Sequence, residues 1–491
     1  MISVKDALDS TGSVWINDEE YKGICNFNEK GLLHYKGFTS PEYIADKETR
    51  VALNCQKLSH LNPNCSISTD YLNKIIDEFE QNENEGRKLH YKQREGIMMV
   101  CNNYLSVLTG GPGTGKTTVL SGIAYALRKI NPETQIVYTA PTGKAANRIK
   151  ESTGENATTL HKKLGVGRGI LQEPFKEDVL FIDEASMLDL DLADILFKQI
   201  PLGKRLVLVG DTNQLPSVGI GRILRDLIES KAIPCTQLTK TFRQDDSSTL
   251  FKNIENVKKG KAELIEGNDF HSIKLDDDAD LNDIAKMMRQ VYVENVEEYG
   301  IDGVCLLLPY RRHTGKTISS DLMAPFLQSA VLKTSPNQSV CMHRKDGVVR
   351  KFYAESRIMQ LENRNECANG DVGIVTAVSE HSVTAVFNGI EVSYQDNEIN
   401  QIALANAMTV HKSQGSEYPV ALVGILNNHD AMLNRNILYT AITRAKKKCI
   451  LFYQEEALNK ALATIADENR HSFLAEKIHE LDIQYRVGRH F

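Results

Sequence analysis

Continuous apolar runs alternate along most of this chain with stretches of helical spacing. Tyr104–Leu108 reads as a buried strand, and the apolar positions that follow it, Val119, Leu120, Ile123, Leu127 and Ile130, share one face of a helix. Gln135–Thr142, Val179–Ile182, Arg205–Val209, Val304–Leu308, Val420–Leu426 and Cys449–Tyr453 are further apolar runs of strand length. Strands that are apolar throughout are those buried on both faces, as in a parallel sheet covered by helices. The pattern predicts an α/β fold with two such cores.

Two regions differ. Residues 14–38 hold short alternating stretches that suit a small β element. From Ser40 the spacing turns helical, through Ile44, Val51, Leu58, Leu72, Ile75, Ile76 and Phe79, and the polar stretch Gln81–Lys88 reads as a linker. Residues 1–85 are therefore expected to form a small N-terminal accessory region, largely helical. Between 340 and 402, short strands (Ile358–Leu361, Gly373–Val375, Val383–Phe387 and Glu391–Tyr394) fall among turn signals, with hairpin turns expected at Asn369-Gly370 and Asn388-Gly389. This reads as a small β-barrel inserted in the second α/β domain. Glu455–Leu481 is helical by pattern. The expected division is 1–85, 86–244, 245–335 with 403–491, and an insert over 336–402.

Composition narrows the class. The chain has 491 residues, 41% hydrophobic and 25% charged, which is ordinary for a soluble globular protein. No apolar run approaches the roughly 18 residues that span a bilayer, and the first residues, MISVKDALDSTGS, lack the pattern of a secretion signal. The nine cysteines include no C-x-x-C pair, which fits reduced thiols and a cytoplasmic location. Neither Cys55, His60 and Cys65 nor Cys341 and His343 has zinc-finger spacing. The net charge of −6 gives no global attraction to nucleic acid, although a groove needs only local positive charge. The acidic stretch 275–283 reads as a solvated loop.

The chemistry is concentrated at the ends of the predicted strands. Thr109–Thr118 (TGGPGTGKTT) contains G-x-x-x-x-G-K-[ST] between a strand and a helix, the context of a phosphate-binding loop. Backbone amides of Gly111, Pro112-flanked Gly113, Thr114, Gly115 and Thr118 would close around phosphate oxygens, Lys116 would reach the β- and γ-phosphates, and the Thr117 hydroxyl would ligate magnesium. The run Val179–Ser186 (VLFIDEAS) ends in two carboxylates: Asp183 can hold magnesium, and Glu184 can deprotonate the attacking water. Gln214, past the next strand, can sense the γ-phosphate, and Arg243 in TKTFRQ can reach developing phosphate charge. Gln93 can read an adenine edge with its amide. Thr142 and Lys144, then Thr159 and His161, offer hydroxyls and cations of the kind that contact a phosphodiester backbone. Pro309-Tyr310-Arg311-Arg312 can stack bases and hold phosphates, or form an ordinary surface.

The order of these segments resembles the successive motifs of superfamily 1 helicases, above all their RecD-like branch: GGPGTGKTT, APTGKAA, TTLH, DEAS, GDTNQLP, TFRQ, TVHKSQGSE and LYTAITRA. The resemblance covers roughly residues 90–480. It implies two RecA-like P-loop NTPase domains, an SH3-like β-barrel insert, and an ATP- and Mg²⁺-dependent DNA helicase or translocase moving 5′ to 3′ on single-stranded DNA in replication, repair or recombination. By motif match it gives catalysis to Lys116, Thr117, Asp183 and Glu184, with Gln214, Arg243 and Arg444 meeting the γ-phosphate. Gln93 would face adenine, and Gly415 and Glu417 would touch nucleotide from the second domain. Thr142, Lys144, Thr159, His161, Thr409, His411 and Lys412 match DNA-facing positions, and 164–178 matches the wedge hairpin, with a connecting loop as the alternative. The expected partners are single-stranded DNA and duplex carrying a 5′ single-stranded tail, with no membrane. The alternative function is a nucleotide-regulated DNA-binding subunit of a larger repair or recombination complex.

Overall fold

The apolar runs pair in parallel, because each is followed by a helix that carries the chain back across a sheet face. The structure, a computed structural model, describes residues 2–27, 29–61, 67–166, 175–242, 247–312, 317–332, 340–345 and 348–488. Its chain forms two compact units. The first holds residues 1–141, 146–243 and 467–491, and the second holds 142–145 and 244–466.

In the first unit, α1 (Val4–Thr11), α2 (Glu42–Ser59) and α3 (Thr69–Asn82) accompany a small antiparallel sheet of Ile16–Asn17, Leu32–Tyr35 and Phe38–Pro41. Then come α4 (Tyr91–Cys101), β1 (Leu105–Gly110), α5 (Lys116–Ile130), β2 (Ile136–Ala140), α6 (Gly143–Thr153), β3 (Ala157–Thr159), α7 (Leu160–Lys163), β4 (Val179–Ile182), α8 (Leu190–Gln199), β5 (Arg205–Gly210), α9 (Ile223–Glu229) and β6 (Cys235–Leu238). The six strands pair in the order β3-β2-β4-β5-β1-β6, all parallel. Every residue of β1 and β4 is buried, as their unbroken apolar runs require.

The second unit holds α10 (Thr249–Lys258), β7 (Phe270–Leu275), α11 (Leu281–Tyr299), β8 (Val304–Leu308) and α12 (Ser320–Val331). After these come β9 (Arg357–Gln360), β10 (Val372–Val378), β11 (Ser382–Phe387), β12 (Ile390–Gln395), β13 (Ile402–Leu404), β14 (Ala407–Thr409), β15 (Tyr418–Ile425), α13 (Arg435–Ile442), β16 (Ala445–Gln454) and α14 (Glu455–Ala463). A parallel sheet runs β7-β16-β15-β8-β14. A separate antiparallel sheet runs β12-β11-β10-β9-β13, and its apolar face shares one core with the parallel sheet through Ile358, Val383, Phe387 and Tyr394.

Three details depart from the sequence reading. Asn388-Gly389 forms a two-residue hairpin turn with φ of 49° and 80°, but Asn369-Gly370 lies inside the longer connection between β9 and β10, with only Gly370 at positive φ. In the acidic stretch, Asp280 caps α11 by accepting from Asn282 N at 2.8 Å. The C-terminal helical stretch is broken: α14 ends at Ala463, and α15 (Leu474–Gly488) packs in the first unit, not with the second domain to which the pattern assigned it. The reason is a set of contacts distant in sequence. Among the described residues, no helix is long and apolar enough to cross a membrane.

The return of the C-terminal segment is fixed by buried charge. Glu48 on α2, fully buried, accepts from Trp15 Nε1 (3.0 Å), Phe473 N (2.9 Å) and Lys477 Nζ (2.8 Å). Ser472 Oγ lies 2.9 Å from Glu48 Oε1 and 2.7 Å from Asp226 Oδ2. One hydroxyl hydrogen cannot serve both carboxylates, so the second bond needs a carboxyl proton. Burial pushes Asp226 up to about 7, reinforced by Glu48 and opposed by Arg222 and Ser472. Below about 7, Asp226 therefore holds the proton, while its Oδ1 faces Arg222 Nε at 3.0 Å. An Asp in an unfolded chain titrates near pH ~3.9. Between that value and about 7 the folded state binds more protons, so the first unit loses stability as pH rises through this window. Asp226→Asn cannot ionise, and its melting temperature relative to wild type should climb by a few degrees between pH 5 and 8, the scale of ~1 kcal/mol in a domain of this size. An offset that does not change with pH would exclude the protonated Asp226.

Candidate active site

Adjacent parallel strands release their loops at a common carboxyl edge. In the first unit the order β4-β5-β1-β6 therefore brings together four of the predicted segments: Asp183-Glu184 after β4, Asp211–Gln214 after β5, Gly111–Gly115 after β1, and Phe242 after β6. The loop after β1 closes on itself, with Thr114 Oγ1 donating to Gly111 O at 2.9 Å. Lys116, the first residue of α5, donates from Nζ to Gly110 O (2.7 Å) and Gly111 O (3.0 Å), which keeps the ammonium at the loop. Gly115 sits at φ 77° immediately before α5, a left-handed position where a Cβ would fall 2.4 Å from Gln93 Nε2. Successive amides at a helix N-terminus, a lysine at the loop and the Thr117 hydroxyl in the first helical turn fit the phosphates and magnesium of a nucleotide.

Gln93 is 4% exposed and engaged at both ends: Oε1 accepts from His90 N at 2.9 Å, and Nε2 donates to Thr114 O at 3.2 Å. The side chain expected to read adenine braces the loop after β1. Phe242 is a residue the motif reading passed over. Its N–H donates to Gly113 O at 2.7 Å, and its half-exposed ring lies near Gly115 and beneath Lys240, 5.4 Å away. The signal available in the sequence was an aromatic residue directly before Arg243. Arg243 itself, like 167–174 of the expected wedge, lies outside the described residues.

Glu184 occupies the left-handed region at φ 52°, ψ 39°, which is strained for a residue with a Cβ. Its N–H donates to Asp183 Oδ1 (2.9 Å), and Asp183 N donates to Thr139 O of β2 (2.9 Å). The turn thus places two successive carboxylates directly after β4. Gln214, 4% exposed, lines a cavity of about 20 Å³ with Ser186, Thr212, Arg225 and Asp467.

The residues expected to face DNA are distributed over both units. Thr159 caps α7, accepting from Lys162 N (3.2 Å), with His161 exposed beside it. Thr142 accepts from Ala145 N at 3.3 Å. Burial, with Arg357 adding to it, lowers Lys144 to about 8. In the second unit, Pro309 is buried and Tyr310 half-buried at the carboxyl end of β8, and Arg311 and Arg312 both pair with Asp321, at 3.5 and 2.7 Å. Thr409, at the end of the neighbouring strand β14, accepts from Lys412 N (3.3 Å), while Lys412 Nζ donates to Asn369 Oδ1 (3.0 Å). Burial lowers the pKa of both His411 and Lys412. Gly415 is left-handed at φ 72°, and Glu417 pairs with Lys446 at 3.2 Å. Arg444 is 3% exposed and donates to Thr440 O (3.1 Å), Ser416 O (3.2 Å) and Thr443 Oγ1 (3.2 Å).

Residues 88–277 match the AAA domain family and 404–452 the UvrD-like helicase C-terminal domain. The chain is 32% identical over 400 residues to the ATP-dependent RecD2 DNA helicase of Deinococcus radiodurans, covering 79% of this chain and 52% of the relative. It is 25% identical over 452 residues to the RecBCD enzyme subunit RecD of Haemophilus influenzae, covering 75% and 70%. It thus spans about half the length of the first relative. A solved structure of the Pif1 helicase from Bacteroides, in complex with ADP-AlF3 and ssDNA, matches at 18% identity and a TM-score of 0.49, covering 82% of this chain and 98% of that one.

The phosphate loop yields a direct test. Gly115→Ala forces a Cβ toward Gln93 at a left-handed position, a backbone cost of ~1–2 kcal/mol before any clash. Binding of a fluorescent ADP analogue should weaken by at least about tenfold. Unchanged affinity would show that the loop around Gly115 does not hold the nucleotide.

Proposed function

We propose that this chain, which is similar in sequence to RecD2 and RecD proteins, is a RecD-like superfamily 1 motor that hydrolyses ATP, moves on single-stranded DNA and opens duplex. One observation carries the reading: the first unit gathers the phosphate loop, Asp183, the strained Glu184 and the Gln214 loop at one carboxyl edge. Lys116 and the loop amides bind the β- and γ-phosphates, and Thr117 and Asp183 would hold magnesium, whose charge neutralises them. Glu184 takes the proton of the attacking water. Phe242 supplies an aromatic face for the base, and Gln93 fixes the loop against which the base lies.

The finer assignments follow the family resemblance. Both units are RecA-like, the antiparallel sheet of β9–β13 serves as an SH3-like module, and residues 1–85 form an accessory region. Arg243 and Arg444 act on the γ-phosphate, with Gly415 and Glu417 contacting the nucleotide. Thr142, Lys144, Thr159, His161, Pro309, Tyr310, Thr409, His411 and Lys412 face DNA, movement is 5′ to 3′, and 164–178 splits the duplex. Arg444 leaves its present acceptors during the cycle, and hydrolysis then resets the domains. The Haemophilus relative is a subunit of the RecBCD enzyme, which favours one second reading: a DNA-binding subunit of a complex with little turnover of its own.

Hydrolysis by the isolated chain separates the two readings. Single-stranded DNA should stimulate ATPase, Lys116→Ala should abolish it, and Glu184→Gln should retain Mg-ATP binding while losing about 10²–10⁴ in rate. Duplex with a 5′ tail should be unwound in preference to duplex with a 3′ tail. Rapid hydrolysis by Glu184→Gln would remove the general-base assignment. Absence of turnover in wild type would favour the subunit reading.

A further inference from the structure

The loop that carries Gln214 has no regular structure, and its shape is set by groups distant in sequence. On one side, Leu190 N donates to Ile220 O (2.9 Å), and Gly219 lies against the Asp189 carboxylate, so closely that a Cβ would fall 2.4 Å from Oδ2. On the other side is Arg470, from the segment between α14 and α15. Its Nη1 lies 3.1 Å from Gly221 O, 3.3 Å from Gly219 O and 3.4 Å from Ser217 Oγ. Gly12 makes room for this guanidinium: it sits at φ 71°, and a Cβ there would fall 2.5 Å from Arg470 Cζ. Gly12 also joins the loop directly, its carbonyl accepting from Gly221 N at 2.8 Å. Three residues earlier, the buried Asp467 pairs with Arg225 on α9 at 2.9 Å, and this pair lines the same small cavity as Gln214 and Ser186.

The same segment is anchored at its other end on α13, the helix that leads to Arg444. Arg435 N donates to Thr464 O (2.7 Å), and Ala466 N donates to Asn436 Oδ1 (3.0 Å). The passage from the second unit to the first falls between Ala466 and Asp467.

We propose that Arg470, supported by Asp467, is a positioning residue for ATP hydrolysis: it holds the shape of the loop that carries Gln214. This rests on the motor reading given above. Charge-assisted bonds from one guanidinium to several loop acceptors suit that task, because they fix a backbone that has no ladder of its own.

The test uses the full chain with Arg470→Gln, Arg470→Lys, Gln214→Ala and the double variant Gln214→Ala/Arg470→Gln. Without nucleotide, amide exchange in the peptide covering 211–221 should speed up about tenfold in Arg470→Gln, protection there being a local opening equilibrium, while the peptide covering Val179–Ser186 stays unchanged. Single-strand-stimulated kcat should fall about tenfold, as expected when a reacting group is misplaced by under 1 Å, with affinity for a fluorescent ADP analogue within about twofold. Lysine should recover part of both effects. In the Gln214→Ala background, Arg470→Gln should cost less than a further ~2-fold, since coupled residues are not additive. Unchanged exchange in 211–221, or a loss that multiplies in full on Gln214→Ala, would overturn the proposal. If wild type shows no DNA-stimulated hydrolysis, the motor reading fails and exchange alone decides Arg470. If Arg470→Gln does not fold, Asp467→Asn, which leaves the guanidinium in place, is read by the same measurements.

Discussion

A parallel strand can hand its chain on only at its carboxyl end, and that constraint organises the first unit. Each crossover must bury a helix on a sheet face, so the strands become apolar throughout and the polar chemistry is left to the loops at one edge. The order β4-β5-β1-β6 then makes neighbours of segments separated by more than a hundred residues, from Gly111 to Phe242. Without this pairing, the phosphate loop, the two carboxylates and Gln214 would have no common site.

At that edge the backbone does as much as the side chains. Gly115 and Glu184 are both left-handed, but for different reasons. Glycine takes the conformation freely, and any Cβ at 115 would meet Gln93. Glutamate takes it at a cost, held by the bond from its own N–H to Asp183 and by the tie of Asp183 to β2. The strain is confined to the turn that carries the two successive carboxylates.

The second theme is buried charge far from the site. Glu48, Asp226, Ser472 and Lys477 join α2, α9 and the start of α15 in a network centred on the two fully buried carboxyl groups, Glu48 and Asp226. Breaking one member would leave the others buried and unpaired, which is costly, so the network specifies where the C-terminal segment docks. That docking in turn delivers Arg470 to the Gln214 loop.

Local pattern and motif were sufficient for the strands and for most helices, and they singled out Lys116, Thr117, Asp183, Glu184 and Gln214 as candidates, because these depend on spacing within a few turns of chain. Eight motifs in order carried the resemblance to RecD-like helicases. Other features depended on contacts between residues distant in sequence. The place of α15 in the first unit, the use of Gln93 as a brace, the ring of Phe242 at the loop, and Arg470 against Gly219 and Gly221 all arise from pairings across 20 to 450 positions that no local signal encodes. Asn369-Gly370 illustrates the limit in the other direction: its turn chemistry was legible, but whether two strands close tightly around it was decided by the register of β9 and β10. Local sequence sets the conformations a segment can adopt, and packing energy summed over the whole fold selects among them.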